Sequence, residues 1–241
     1  MNKILIVICL LFSNLVTANE LEKILSDANR YTVKISHSTN TPFIEDNYNA
    51  SFGSGILIDK TNGIIITNAH VSSYSPSINR VNFKFSDPIQ SKQVYIDPEI
   101  DLAFLQVDPK SIPKEAIEAK LQCKNDYKQG QNVVAFGHPN GKDFTITRGI
   151  ISAIRYETDF FESIQTDAAI NGGNSGGALI DISSGLVVGI NSFGATDAEG
   201  LNFALPSYTA CKVLELYKNK KDPSPLDFQV FFQIIKNKES F

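Results

Sequence analysis

Residues 172–177 read GGNSGG, a glycine-rich loop centred on Ser175. A serine hydroxyl is a poor nucleophile at neutral pH unless an imidazole takes its proton, and the imidazole needs a carboxylate that fixes its tautomer. The loop therefore has chemical meaning only if a histidine and an aspartate occur at suitable places elsewhere in the chain.

Two segments upstream of the loop supply these partners. Residues 67–71 read TNAHV and place His70 at the end of an apolar strand, and residues 101–103 read DLA and place Asp101 at the start of another. Each residue taken singly is typical of a packed histidine, a turn aspartate or a flexible loop. Taken together, in the order His, Asp, Ser of the chymotrypsin-like arrangement, they predict a catalytic triad.

The glycines around Ser175 predict an oxyanion hole. Acyl transfer develops a negative charge on oxygen, which is best stabilised by backbone N–H groups directed at one point. Glycine permits the backbone dihedral angles that bring two such groups together. We expect the donors to be the N–H groups of Gly173 and Ser175, with Asn174 held between them.

The spacing of apolar runs predicts an all-β fold. Short β-like segments recur from Tyr31 to Ala204, and the turn DKTNG at 59–63 is a strong hairpin signal. A polar stretch over 110–126 separates an N-terminal set (about 31–115) from a C-terminal set (about 127–210). With the triad order, this predicts a chymotrypsin/trypsin-like double β-barrel with a short C-terminal helix, the helix and tail covering 211–241.

The first 18 residues predict a signal peptide. Lys3 precedes an unbroken apolar run over 4–12, and Val16-Thr17-Ala18 resembles a cleavage site. A membrane anchor is the alternative, but a spanning helix needs roughly 20 apolar residues. We expect an exported domain over 19–241, periplasmic or secreted, without stable membrane insertion. Export would allow a disulfide between Cys123 and Cys211, although two buried free thiols are equally compatible with the sequence.

Composition gives no sign of a nucleic-acid partner, because the formal net charge is −4 and no basic stretch dominates one region. His37 and His138 lack cysteine or acidic partners at metal-ligand spacing, so we expect no metal and no cofactor. An oligomer is possible, but the sequence does not indicate one.

The chain resembles the trypsin-like peptidase domain of the HtrA/Deg family over about residues 31–210. The resemblance is carried, in order, by GSGILI at 53–58, ITNAHV at 66–71, DLAFL at 101–105, GHPNG at 137–141, TRGIIS at 147–152, QTDAAIN at 165–171, GNSGG at 173–177 and GIN at 189–191. Two departures stand out. Gly172 replaces a usual proline, which predicts a more mobile oxyanion loop, and the 34 residues after Ser207 are too few for the family's PDZ domain, so we expect none.

The resemblance implies a serine endopeptidase that cleaves unfolded or misfolded exported proteins. Two alternatives stay open. The first is a dedicated processing protease with one target, and the second is a chaperone-like protein that binds polypeptides with weak activity. We expect the substrate to bind as an extended strand against residues 189–192.

The primary specificity pocket is expected to be uncharged. Ala169, six residues before Ser175, is assigned to its base and Ile170 to its wall. Ile190, Asn191 and Ser192 complete the expected substrate-binding set. Because an unpaired cation in an apolar pocket is costly, we expect preference for Val, Ala, Ile or Leu rather than Lys or Arg.

Overall fold

The computed structural model describes residues 20–42, 50–84, 86–138, 144–158, 161–194 and 200–221. The predicted signal peptide and the tail beyond residue 221 lie outside these residues. No helix in the described part of the chain is long and apolar enough to cross a membrane.

The described strands form two closed antiparallel barrels. The first barrel has the order β1-β2-β3-β6-β5-β4 and the second β10-β11-β12-β9-β8-β7. The strand bounds in the first are β1 Thr32–Ser38, β2 Ala50–Asp59, β3 Ile64–Thr67, β4 Ile78–Asn82, β5 Ile89–Asp97 and β6 Leu102–Gln106. Those in the second are β7 Asn132–Gly137, β8 Thr145–Thr158, β9 Phe161–Thr166, β10 Ala178–Asp181, β11 Val187–Gly194 and β12 Asn202–Pro206.

Helical segments are few in the part of the chain described. Helix α1 covers residues 20–31, α2 is the four-residue segment Ala69–Ser72, and α3 is Ser207–Lys218. A 3-10 turn, Pro109–Ser111, begins the connection between the barrels. The predicted double β-barrel with a short C-terminal helix is therefore confirmed.

Strand alternation gives the second barrel two apolar faces. Along β7, Val133 and Ala135 point into the barrel interior, whereas Val134 and Phe136 join an apolar cluster that continues into the first barrel. Successive side chains of a strand point to opposite faces, so one strand serves both cores. The barrels are thus packed directly against each other, and this contact fixes the cleft between them.

The connection between the barrels is anchored at several points. Ala119 donates its N–H to Leu57 O at 2.8 Å, and Val187 donates to Lys120 O at 2.9 Å. Cys123 is disulfide-bonded to Cys211 of α3, with the two Cα atoms 5.6 Å apart. Of the two states compatible with the sequence, the structure contains the bridge.

Candidate active site

The three predicted triad residues lie where their barrels meet. His70 is on α2, directly after β3, and Asp101 immediately precedes β6. Because β3 pairs with β6 through Thr67 and Ala103, both residues emerge at the same end of the first barrel. Ser175 lies in the loop between β9 and β10 of the second barrel.

The His70 imidazole is held by the Asp101 carboxylate. His70 Nδ1 lies 2.9 Å from Asp101 Oδ2 and 3.0 Å from Oδ1, and the His70 backbone N–H donates to Oδ1 at 3.1 Å. Ser192 donates its hydroxyl to Oδ2 at 2.8 Å. Since a carboxylate only accepts, the ring proton sits on Nδ1, which leaves Nε2 free to act as a base.

The backbone around Asp101 is arranged to present its carboxylate. Asp101 has a φ of 54°, in the left-handed region that Asp tolerates better than most residues. Asn68 secures this conformation by donating its side-chain amide to Asp101 O at 3.0 Å. The residue before α2 therefore fixes the position of the acid as well as that of the histidine.

The Ser175 hydroxyl is turned toward its own barrel. It donates to Ser192 O at 2.7 Å and has no hydrogen bond to His70 among the described residues. Catalytic hydrogen bonds often form only when substrate is bound. In this arrangement the Ser175 hydroxyl proton is directed to Ser192 O and not to the imidazole.

The loop around Ser175 presents two unused backbone donors. Asn174 donates its N–H to Asn171 O at 2.9 Å, and Gly176 donates to Asn191 O at 2.7 Å. Within the described residues, the N–H groups of Gly173 and Ser175 have no acceptor. Gly173 has a φ of 98°, a conformation that favours glycine. Both N–H groups are thus available for a substrate oxygen.

Ser54 of the first barrel holds this loop, a role that the sequence alone did not reveal. Its N–H donates to Ser175 O and its hydroxyl to Gly173 O, both at 2.7 Å. The hydroxyl also accepts from His138 N at 3.0 Å. A Cβ at Gly176 would collide with Ser54 O, so this contact requires glycine. In the sequence, Ser54 occurs only within the segment GSGILI at 53–58, which carries the family resemblance and indicates no contact with the loop.

The predicted pocket residues differ in accessibility. Ala169 is exposed and its carbonyl accepts from Thr147 Oγ1 at 2.7 Å, whereas Ile170 is 5% exposed. The side chains of Ile190 and Asn191 are fully buried, and Asn191 donates to Ala178 O at 3.2 Å. Neither buried side chain faces the cleft, so any contact of these two with a substrate is through the main chain.

Strand β11 is paired on both sides at its start and on one side only near its end. Gly189 and Ile190 pair on one side with β10 and on the other with β12, which leaves no edge for a substrate strand. Strand β10 begins at Ala178, opposite Ile190, so its pairing with β11 stops at Ile190, whereas β11 continues beside β12 to Gly194. Of the expected segment 189–192, only Ser192 lacks a main-chain partner on the β10 side within the described residues, and this unpaired edge continues to Gly194.

A cavity of about 340 Å³ opens beside the predicted triad. Its lining combines apolar and aromatic side chains with one exposed acid, Glu99. The lining residues are His70, Tyr74, Glu99, Ile100, Asp101, Ser163, Ser192, Phe193, Phe203, Ala204 and Leu205. In the part of the chain described, no group of three or more His, Cys, Asp or Glu residues could hold a metal ion.

His37 lies behind the helix that carries His70. It is 4% exposed, and its Nδ1–H donates to Val71 O at 2.9 Å. The role is structural support of α2, and no sequence pattern indicated it.

Comparison with known proteins gives consistent matches. Residues 53–190 match the trypsin-like peptidase domain family. The serine protease Do-like HtrA of Bacillus subtilis is 38% identical over 184 residues, covering 70% of this chain and 40% of that protein. The periplasmic serine endoprotease DegP of Escherichia coli is 37% identical over 164 residues, covering 65% and 34%. The chain thus spans less than half the length of these relatives.

Solved structures agree with the fold. The serine endoprotease from Yersinia pestis superposes with a TM-score of 0.66 at 30% identity, covering 81% of this chain and 65% of that one. The HtrA-type protease AlgW with tripeptide gives a TM-score of 0.70 at 30% identity, covering 81% and 62%.

Proposed function

The chain belongs to the trypsin-like peptidase domain family, with HtrA/Deg proteases as relatives, and we propose that it is a serine endopeptidase. The observation that carries the proposal is that His70 is paired with Asp101 on one side of the cleft. On the other side lie Ser175 and the unused N–H groups of Gly173 and Ser175. Acyl transfer requires this combination of base, nucleophile and oxyanion donors.

The proposed reaction proceeds in two halves. The Ser175 oxygen attacks the substrate carbonyl while His70 Nε2 takes the hydroxyl proton, and Asp101 stabilises the imidazolium. The N–H groups of Gly173 and Ser175 bind the oxyanion. The proton then passes to the leaving amine, and the acyl-enzyme is hydrolysed by a water that His70 activates in the same way.

The proposed substrates are unfolded exported polypeptides. Docking along Ser192–Gly194 requires an extended chain, because main-chain hydrogen bonds to a strand edge supply the affinity. A folded protein rarely offers such a segment. The DegP relatives are named as periplasmic endoproteases, which supports export. Cleavage of unfolded chains outside the cytoplasm would serve protein quality control in the cell envelope.

Cleavage of an unstructured protein, with the sites determined by mass spectrometry, tests the proposal. The wild-type chain should cut it at many positions, and Ser175→Ala, with an unchanged melting temperature, should cut nowhere. A folded wild-type chain that leaves every unstructured protein intact would refute the proposal. Many sites in many proteins would also argue against a dedicated processing protease.

The orientation of the Ser175 hydroxyl favours a second candidate. Because it donates to Ser192 O instead of His70, the free chain is in a resting arrangement compatible with binding and holding polypeptides without cleavage. An active-site phosphonate probe separates the two functions, since only a nucleophile activated next to a formed oxyanion hole is labelled. Labelling of Ser175 supports the peptidase, and binding of unfolded protein without labelling supports the holding function.

A further inference from the structure

The cavity beside the predicted triad lies on the other face of β12 from the expected primary pocket. Ile170, the expected wall of that pocket, donates its N–H to Asn202 Oδ1 at 3.1 Å and so lies on the Asn202 face of the strand. Phe203 is the next residue along β12, and its side chain therefore points to the opposite face, where it lines the cavity. The cavity is thus a region separate from the primary pocket.

An extended substrate would direct a particular side chain into this cavity. Successive side chains of a strand point to opposite faces. If the residue before the cut enters the primary pocket, the second residue before the cut faces the cavity, and the third points back. His70 and Ser192 line the cavity, so the second residue would lie beside the imidazole.

The lining of the cavity is suited to a cation. Glu99 is exposed, and its backbone N–H donates to Asp97 Oδ1 at 3.0 Å, whereas its carboxylate has no partner among the described residues. No lysine or arginine of the described chain lines the cavity. Phe193 is 52% exposed and stacks on Phe203 with the ring centroids 5.0 Å apart. Aromatic ring faces attract cations, so the rings and the carboxylate favour the same kind of side chain.

We propose that Glu99 is a specificity-determining residue that selects lysine or arginine as the second residue before the cut. The methylene stem of such a side chain packs on Phe193 and Phe203 while its charged end reaches the exposed carboxylate. This inference rests on the proposed peptidase function. It adds a requirement for a basic residue next to the uncharged residue expected in the primary pocket.

Peptides that differ only in the second residue before the cut (Lys, Met or Glu) test the proposal, with Met as the uncharged side chain of similar length. Wild type should favour Lys over Met by about threefold or more in kcat/KM, with Glu lowest. Glu99→Gln should lower the Lys-to-Met ratio by about threefold, and Glu99→Lys should invert the ranking of Lys and Glu. Glu115→Gln, an exposed change on the connection between the barrels, is the matched control and should leave both ratios unchanged.

A second peptide set carries Lys, Met or Glu at the third residue before the cut, which points away from the cavity. Its ratios should not respond to the Glu99 variants. Unchanged ratios in the first set, or equal changes in both sets, would overturn the proposal, because a purely structural residue does not distinguish the two positions.

Binding of the same peptides to Ser175→Ala versions of each chain separates this proposal from the peptidase function, since binding requires no catalysis. A wild-type chain that cleaves nothing, while binding still follows the charge at residue 99, would refute the peptidase function and support the cation site. Cleavage with ratios that ignore residue 99 would support the peptidase function and refute the cation site.

Discussion

The two barrels contribute to the candidate site in different ways. The first barrel supplies side chains, His70 and Asp101, brought together by the pairing of β3 with β6. The second supplies one side chain, Ser175, and a set of main-chain N–H groups whose directions depend on loop conformation. Side-chain chemistry can be read from residue types, whereas main-chain geometry depends on contacts from elsewhere, here from Ser54.

The largest effect on turnover is expected when the side chain supplied by either barrel is removed. His70→Ala or Ser175→Ala should each lower kcat about 10⁴-fold or more, and the double variant should be no worse, because members of such a unit do not contribute additively. Melting temperatures should hardly change, since His70 lies partly exposed in the cleft.

Peptide turnover by the single and double variants, in preparations free of other proteases, is the measurement. Substantial turnover by either single variant would contradict the triad. A double variant much slower than both single variants would show that the two barrels act independently.

The next largest effect is expected when the contact between Ser54 and the loop around Ser175 is weakened. Ser54→Ala removes the hydroxyl that binds Gly173 O and His138 N, and both buried groups lose a partner. We expect a loss of about 1–3 kcal/mol in unfolding free energy. We also expect kcat to fall by about tenfold or more because the oxyanion donors lose their alignment.

Ser51→Ala, at a partly exposed position of the same strand, is the matched control for Ser54→Ala. It should leave both quantities near wild type. If Ser54→Ala lowers the melting temperature but keeps the wild-type kcat, the first barrel supports the loop without adjusting its catalytic geometry.

The same contrast explains what could be predicted from sequence. The triad candidates and the all-β pattern depend on residue types and their order, so His70, Asp101 and Ser175 were identifiable at once. The unpaired edge of β11 could not be predicted, because it depends on which of its residues pair with β10 and β12, including the irregular register between Asn191 and Phe193. The disulfide depends on the distance between two cysteines that are remote in sequence.

The hairpins of the two barrels offer a closer comparison, since both turns follow the pattern Asp-x-x-x-Gly, at 59–63 and 181–185. Burial alone would raise the pKa of Asp59, but hydrogen bonds from Lys218 and Asn62 outweigh it and lower the pKa below its ordinary value of 3.8. Burial alone would also raise the pKa of Asp181, but hydrogen bonds from Ser183, Ser184 and Gln131 outweigh it and lower the pKa. Asp59 therefore has a charged partner, Lys218, whereas the hydrogen-bond partners of Asp181 are neutral.

The smallest expected effects separate these two hairpins. Because both folded-state pKa values are lowered, each carboxylate stabilises the fold above about pH 4, and this contribution is lost as the pH falls through the folded-state pKa. Lys218→Met removes an ion pair of 2.7 Å whose lysine is 47% exposed, so about 0.5 kcal/mol should be lost at pH 7 and less at high salt. Ser184→Ala removes a neutral donor and should cost about 1 kcal/mol at any salt concentration.

Denaturant unfolding at pH 7 and pH 3, in low and high salt, distinguishes these cases, with Lys92→Met on β5 as the control for loss of an exposed lysine. The stability deficit of each hairpin variant should shrink as the pH falls from 7 through the lowered pKa of its aspartate, because a protonated carboxyl group no longer attracts Lys218 and accepts hydrogen bonds more weakly. Two outcomes would contradict this prediction: a loss of unfolding free energy in Ser184→Ala that depends on salt, or a loss in Lys218→Met that does not. Either would mean that Asp59 and Asp181 are stabilised by the same kind of partner. In that case the two barrels would differ only in the loops that reach the cleft, and not in how their hairpins are held.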